Sequence, residues 1–411
     1  MKRTTLVALA LALTSGGLAF SLDGDARGIN LYGTVSAEAL AGIGRDDIGS
    51  NGFENELRLV LEAEDGDLSF RAEGGYSLAY GLSSDAALAF GSGLVTAPDP
   101  LTLPPDSDLH RDFFVDQAWA RAVLGDFEFK AGIVPVSWGS AYLYNPTART
   151  SEPGFPGEDV DRVRGKPGVL LGYAFPAGFG AEAYALAQGR AQETVPDARE
   201  LNAGNLPFGC RLFFRSDRVD ASLSWIRERS GGIADAVSYA GLDATLVAGA
   251  FSLYVETAVP ILSDARETEI SAGFAWDAPS RGLTIRAEYV RLGGGSADGE
   301  YDPTRVLAGE TVLLSRDYLY AGAEMEDGEN ARWVLETGAM INLNDRSVAL
   351  SSKGTWKPRT TLELAVFVRY FTAALSDSGA DVEFGRPIEP VPGISFAPYR
   401  SVAGLSAAWS F

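Results

Sequence analysis

Glu56-Leu57-Arg58-Leu59-Val60-Leu61-Glu62-Ala63-Glu64-Asp65-Gly66-Asp67-Leu68-Ser69-Phe70-Arg71-Ala72-Glu73 decides the fold of this chain. Leu57, Leu59, Leu61 and Ala63 alternate with Glu56, Arg58, Glu62 and Glu64, and after Asp65-Gly66-Asp67 the residues Leu68, Phe70 and Ala72 alternate with Ser69, Arg71 and Glu73. Successive side chains of a β-strand point to opposite faces, so each arm has one apolar face and one charged face. The Asp-Gly-Asp step between them is a tight-turn signature. The stretch predicts a β-hairpin with charge on one side.

The same rhythm runs outward in both directions. Upstream, Ile29, Leu31, Val35, Ala37 and Ala39 alternate with Asn30, Tyr32, Thr34, Ser36 and Glu38. Downstream it returns from Phe127 with Glu128 and Lys130 on the polar face, from Phe179 with Glu182 and Tyr184, and from Phe208 with Arg211 and Arg215. Phe251, Leu253 and Val255 alternate with Tyr254 and Glu256, Leu283 and Ile285 with Arg286 and Glu288, Trp333 and Leu335 with Glu336, and Leu364, Val366 and Val368 with Arg369. The pattern gives about eighteen segments of roughly ten residues, the span a tilted strand needs to cross a bilayer core, with sixteen as the alternative. Phe113 to Leu124 sorts least cleanly; Gln117 and Arg121 are placed on the polar face.

Connections alternate in length. Short ones are expected at Asp65-Gly66-Asp67, Gly125-Asp126, Pro176-Ala177-Gly178, Ser216-Asp217-Arg218, Asp277 to Arg281, Asp327 to Asn330 and Lys357-Pro358-Arg359. Between them lie Gly/Pro/Asp-rich stretches such as Gly81 to Arg111, Ser137 to Lys166 and Ser376 to Phe396. Trp276, Trp333, Trp356, Phe127, Phe175 and Phe179 sit beside short turns, as an interfacial aromatic girdle would. The fold class expected is all-β: a single transmembrane antiparallel up-and-down β-barrel with short periplasmic turns and long extracellular loops. A soluble β-sandwich or propeller shares the alternation but explains neither the unequal connections nor the aromatics.

At the start of the chain, Lys2 and Arg3, an apolar run from Leu6 to Leu13 and the small residues from Ser15 to Ser21 form a secretory signal. Residues 1–21 are therefore expected to be a signal peptide and 22–411 the barrel domain. The formal net charge of -21 opposes nucleic-acid binding. One cysteine, Cys210, allows no intrachain disulfide, and one histidine, His110, sits among acids at the end of a loop. Neither zinc spacing nor a catalytic triad can be drawn from them, so no enzyme, metal or cofactor is expected. Acidic stretches such as Asp298 to Asp302 could gather divalent cations loosely.

The chain closes Leu405-Ser406-Ala407-Ala408-Trp409-Ser410-Phe411. Leu405, Trp409 and Phe411 on one face resemble the C-terminal assembly signal of outer-membrane barrels. From Leu124 to about Leu171, the run Phe127 to Gly139 with Trp138-Gly139 and then Asn145-Pro146 is similar to porin-like and exporter-associated barrels, although Ile133-Val134-Pro135 replaces their usual Gly-Arg/Lys-Gln. The resemblance extends to the Gram-negative-type, porin-like superfamily and to no subfamily. It implies the cell outer membrane and its lipids, barrel-assembly machinery at the last strand, small polar solutes, and room for a homotrimer.

Alternation turns Glu38, Arg58, Glu62, Arg71, Glu73, Glu128, Lys130, Glu182, Arg211, Arg215, Glu256, Arg286, Glu288, Glu336 and Arg369 inward as candidate pore-lining residues. The third long connection carries Glu158, Asp159, Asp161, Arg162, Arg164 and Lys166, and it is the candidate constriction. The expected function is passive diffusion of small polar solutes or ions through a mixed-charge lumen. The alternatives are wall ion pairs that only stiffen a closed barrel, and a non-pore barrel acting as an adhesin or as an accessory to lipid or polysaccharide export. Tyr32, Tyr184, Tyr254 and Phe213 could form an inward aromatic track.

Overall fold

A computed structural model describes residues 29–44, 51–81, 109–150, 164–188, 206–228, 237–261, 267–298, 301, 313–327, 332–372 and 399–410. They form eighteen strands. The first nine are β1 (Ile29–Gly44), β2 (Asn51–Asp65), β3 (Leu68–Gly81), β4 (Leu109–Leu124), β5 (Phe127–Val134), β6 (Lys166–Ala174), β7 (Phe179–Leu186), β8 (Phe208–Arg215) and β9 (Val219–Glu228). The second nine are β10 (Val237–Ala248), β11 (Phe251–Pro260), β12 (Glu269–Ala278), β13 (Leu283–Arg291), β14 (Asp317–Glu326), β15 (Trp333–Asn342), β16 (Val348–Arg359), β17 (Leu362–Thr372) and β18 (Tyr399–Ser410). Each strand pairs antiparallel with its sequence neighbours, and β1 pairs with β18 so that the sheet closes. In that seam Val35 stands opposite Trp409 and Ala39 opposite Leu405. Phe411 lies outside the described residues. Closure leaves no strand edge, which is the condition for a sheet to sit in hydrocarbon with every backbone group satisfied.

Burial is inverted relative to a water-soluble domain. Leu57, Leu59, Leu61, Leu253, Val255, Leu350, Val366, Val368 and Leu405 are exposed on the outer face, whereas Glu256 and Glu288, on the opposite face, are 0% and 1% exposed. An apolar exterior over a polar interior is what strand-built membrane spans require. Aromatic side chains gather at the short-turn end of this exterior. Trp333 stacks on Trp356 with centroids 5.5 Å apart, Phe251 on Trp276 at 6.4 Å, and Phe127, Tyr173 and Phe175 form a chain of contacts at 4.5 and 4.6 Å.

Three departures from the sequence reading have local causes. The turn expected at Lys357-Pro358-Arg359 falls instead at Thr360-Thr361, because β16 runs on through a register shift between Trp356 and Arg359. A further short turn, Gly249-Ala250, lies between Val247-Ala248 and Phe251 and so has no polar flank to announce it; Gly249 takes φ +64. His110 is a residue of β4 rather than of a loop.

The fourth strand explains its own poor sorting. Glu73 pairs with Gln117 but Gly74 pairs with Val115, so Asp116 is an extra residue, a β-bulge. Ahead of it Phe113 and Val115 face outward, 77% and 57% exposed, and Phe114 lies inward beneath Arg58. Beyond it Gln117, Trp119 and Arg121 face inward, where Trp119 Nε1 donates to Gln117 and Arg121 to Glu128. Position 74 must be glycine here, because a Cβ would stand 2.6 Å from the Phe114 carbonyl oxygen.

Candidate functional site: the lumen and its inward loop

The interior wall of β2 to β5 is a lattice of opposite charges. Arg58 reaches Glu73 at 2.7 Å, Glu56 at 3.0 Å and the bulged Asp116 at 3.1 Å. Arg71 bridges Glu62 and Glu73, and Arg121 meets Glu128 at 2.9 Å. Lys130 lies 4.5 Å from the centroid of Trp119. Cross-strand neighbours on one face come close enough to pair in this way, so the pattern follows from register. On β8 and β9 Arg215 pairs with Asp220 at 3.2 Å, and on β13 and β14 Arg286 pairs with Glu324 at 2.8 Å.

The connection from β5 to β6 does not stay outside this wall. Its first sixteen residues, 135–150, turn into the barrel and lie against the opposite strands. Val136 and Trp138 pack with Leu170, Tyr184, Leu186 and Ile226, and Trp138 Nε1 donates to Glu182 at 3.0 Å. Arg211 donates to the same carboxylate at 2.8 Å. The path then runs to Tyr144, which is buried with Val290, Leu292, Tyr318, Tyr320 and Phe371.

Two carboxylates hold the middle of the loop. Glu256 accepts from Ser140 N at 3.0 Å, Ala141 N at 3.3 Å, Thr147 N at 2.6 Å and Thr147 Oγ1 at 2.7 Å. Glu288 accepts from the backbone N of Tyr142 at 2.8 Å, Leu143 at 3.1 Å and Tyr144 at 3.2 Å, and from the Tyr254 hydroxyl at 2.7 Å. Among the described residues neither is ion-paired; the acceptors are matched by loop amide donors that have no strand partner. Gly139 permits this approach, with φ +98 and a position whose Cβ would stand 2.5 Å from Glu256 Oε2.

Arg149 forms the second anchor. It lies 2.9 Å from Glu269 and 3.2 Å from Glu228, with its guanidinium 4.0 Å from the Tyr239 centroid. Burial works against its charge, but Glu269 and Glu228 outweigh that and hold it protonated. Tyr144 donates to Glu269 at 2.5 Å, and Thr150 Oγ1 donates back to the Val136 carbonyl at 2.7 Å, closing the loop on itself.

The structure distributes the candidate residues unevenly. Arg58, Arg71, Glu62, Glu73, Glu128, Lys130, Arg215 and Arg286 lie on the inner wall with partly exposed or exposed side chains. Arg369 stands 5.8 Å from the Phe367 centroid on β17, and Glu38 and Glu336 occupy inward positions of β1 and β15. Glu256, Glu288 and Arg211 are inward but covered by the loop or packed beside it. Lys166 is the first residue of β6 and is buried, not a loop residue, while Arg164 lies 3.5 Å from Asp116. Glu158, Asp159, Asp161 and Arg162 lie outside the described residues. Tyr184 and Tyr254 are buried against the loop, so with Tyr32 and Phe213 they form no open track.

Sequence reasoning passed over Tyr142, Tyr144, Thr147, Arg149, Glu228 and Glu269, and took Trp138 only as part of a family resemblance. A partial signal was present: residues 138–148 carry no charge, a trait they share with 86–98 of an earlier connection. A loop that is to be buried must shed its charges or, as at Arg149, pair them.

No protein-family model matches the chain, and no curated protein does. Among solved structures, a mutant of Rh. blastica porin is 11% identical over 93% of this chain and 100% of its own, with a TM-score of 0.46. Another mutant of that porin gives 10% and 0.45, with 93% and 100% covered. The low-pH structure of Pseudomonas putida OprB is 11% identical over 93% of each chain, with a TM-score of 0.41. Resemblance in outline at such identity does not carry function across.

Proposed function

We propose that the chain is an outer-membrane channel for passive diffusion of small polar solutes or ions, exported by its N-terminal signal and inserted through recognition of β18. One observation carries the reading: among the described residues the polar anchors of the loop lie on one side of the lumen, on β7 to β13. It covers the inner face of β6 to β14, where Ile226, Ser271, Glu256 and Glu288 are sealed from solvent, and its Tyr144 joins an apolar cluster that extends to Phe371 of β17. On the other side, Ser351 and Lys353 of β16, Glu363 of β17, Ser406 and Ala408 of β18, and Thr34 and Ser36 of β1 remain partly exposed. A lumen narrowed on one side and lined elsewhere by small polar groups and paired charges passes hydrated solutes without binding them tightly.

In this reading the loop is the constriction, and residues 138–149 belong to the part of it that lies within the described residues. Purified protein in planar bilayers gives discrete ion conductance, and deleting Asn145 to Glu158 raises it. A barrel serving only as an adhesin or export accessory gives no conductance and no swelling of sugar-loaded liposomes, and either result overturns the proposal.

A further inference from the structure

The loop carries one ring beyond its anchors. Tyr142 lies with the Arg286 guanidinium 4.8 Å from its centroid and the Tyr320 ring 5.8 Å away. Arg286 donates to Glu324 at 2.8 Å, and Phe367 packs against the same aromatic group. Register places Lys353 between Glu336 and Phe367 on adjacent strands. All but Tyr320 are partly exposed, unlike the sealed anchors Glu256 and Glu288.

We propose that this shelf is a subsite for a polyhydroxylated ring, a single sugar unit in transit; it rests on the channel reading above and adds a saturable step to it. Aromatic carbon offers the C–H face of a pyranose a flat apolar surface. A guanidinium beside a carboxylate presents donors and acceptors a few ångströms apart, the spacing of neighbouring hydroxyls. Acids stand beside the positive charges: Arg286 pairs with Glu324, and Lys353 lies opposite Glu336. Such a shelf does not concentrate small ions of either sign, and it favours a solute that uses donors and acceptors together. Burial raises the Tyr142 phenol, against the pull of Arg286, so its hydroxyl keeps its proton as a donor.

The test is ion current through single wild-type channels titrated with glucose, with glycerol at matched viscosity as the control and glucuronate as a charged arm. Glucose lowers the current saturably with excess noise, glycerol only in proportion to viscosity, and glucuronate no more tightly than glucose. Tyr142→Leu and Glu324→Gln each weaken the glucose half-saturation by about tenfold while the channels still conduct. A glucose effect that matches glycerol, wild-type titration in both variants, or tighter block by glucuronate overturns the subsite and leaves the channel standing. Absence of any wild-type conductance overturns both.

Discussion

Replacing Glu256 by glutamine isolates the loop's attachment from its covalent path. Each carboxylate oxygen now receives two donors, Ser140 N and Ala141 N on one and Thr147 N and Oγ1 on the other. An amide keeps one oxygen and turns an NH₂ toward the other pair, so two hydrogen bonds are lost. Bonds to a charged acceptor are worth about 1.5–3 kcal/mol each, so the gross loss is about 3–6 kcal/mol. A neutral amide is cheaper to bury than a carboxylate, which brings the net loss to about 2–4 kcal/mol. At ~1.4 kcal/mol per factor of ten, the docked-to-undocked ratio of this part of the loop falls roughly 30- to 700-fold. Glu288 still grips Tyr142 to Tyr144, so the single variant loosens the loop and the double variant Glu256→Gln with Glu288→Gln releases it. Single-channel recording in planar bilayers reads this as larger mean conductance and open-state noise, greater in the double variant than in either single. Wild-type conductance and noise in a double variant that keeps its heat-modifiable barrel migration would refute the idea that these carboxylates position the loop.

Three other outcomes follow from the same geometry. Gly139→Ala drives a Cβ into Glu256 at a positive φ, and should reproduce the noisy, enlarged channel with both carboxylates intact; a quiet channel of wild-type size would contradict the packing described. Arg149→Met leaves Glu228 and Glu269 buried without their cation, a loss of about 3–5 kcal/mol. It should lower the temperature at which the barrel loses its compact gel migration, and adding Glu228→Gln with Glu269→Gln should restore most of it. Removing Phe411 should reduce the fraction of newly made protein that becomes protease-resistant in outer membranes, while equal assembly with and without Phe411 would argue against terminal-strand recognition.

Alternation is a local property, written within ten residues, and that is why the strands and the mixed-charge wall were legible. Alternation also tells which face a residue occupies, but not whether that face is wet. Glu256 and Glu62 sit in equivalent inward positions of their strands, yet one is sealed and the other remains partly exposed, because a segment more than a hundred residues away lies over Glu256 alone. Attention went to Glu158 through Lys166 because charge suggests a filter; Glu158, Asp159, Asp161 and Arg162 lie outside the described residues, and the described loop contacts run from Val136 to Thr150. Gly249-Ala250 escaped notice for the opposite reason: its neighbours are apolar, and the turn is set by backbone conformation with no polar residue to mark it.

The surplus residue in β4 has a consequence for how this barrel can change. Inside and outside are encoded in opposite phases of one alternation, and Asp116 marks the point where the phase inverts. Deleting that single position would leave plain alternation, with Phe113 and Val115 still toward lipid, Phe114 still inward, and everything from Gln117 onward on its present side. One lost codon would therefore cost the wall a carboxylate and not its polarity, stripping Arg58 and Arg164 of a shared partner. Elsewhere in a strand one lost residue would turn every side chain on one side of the gap to the wrong face, so the bulge is the place where this barrel can shed length.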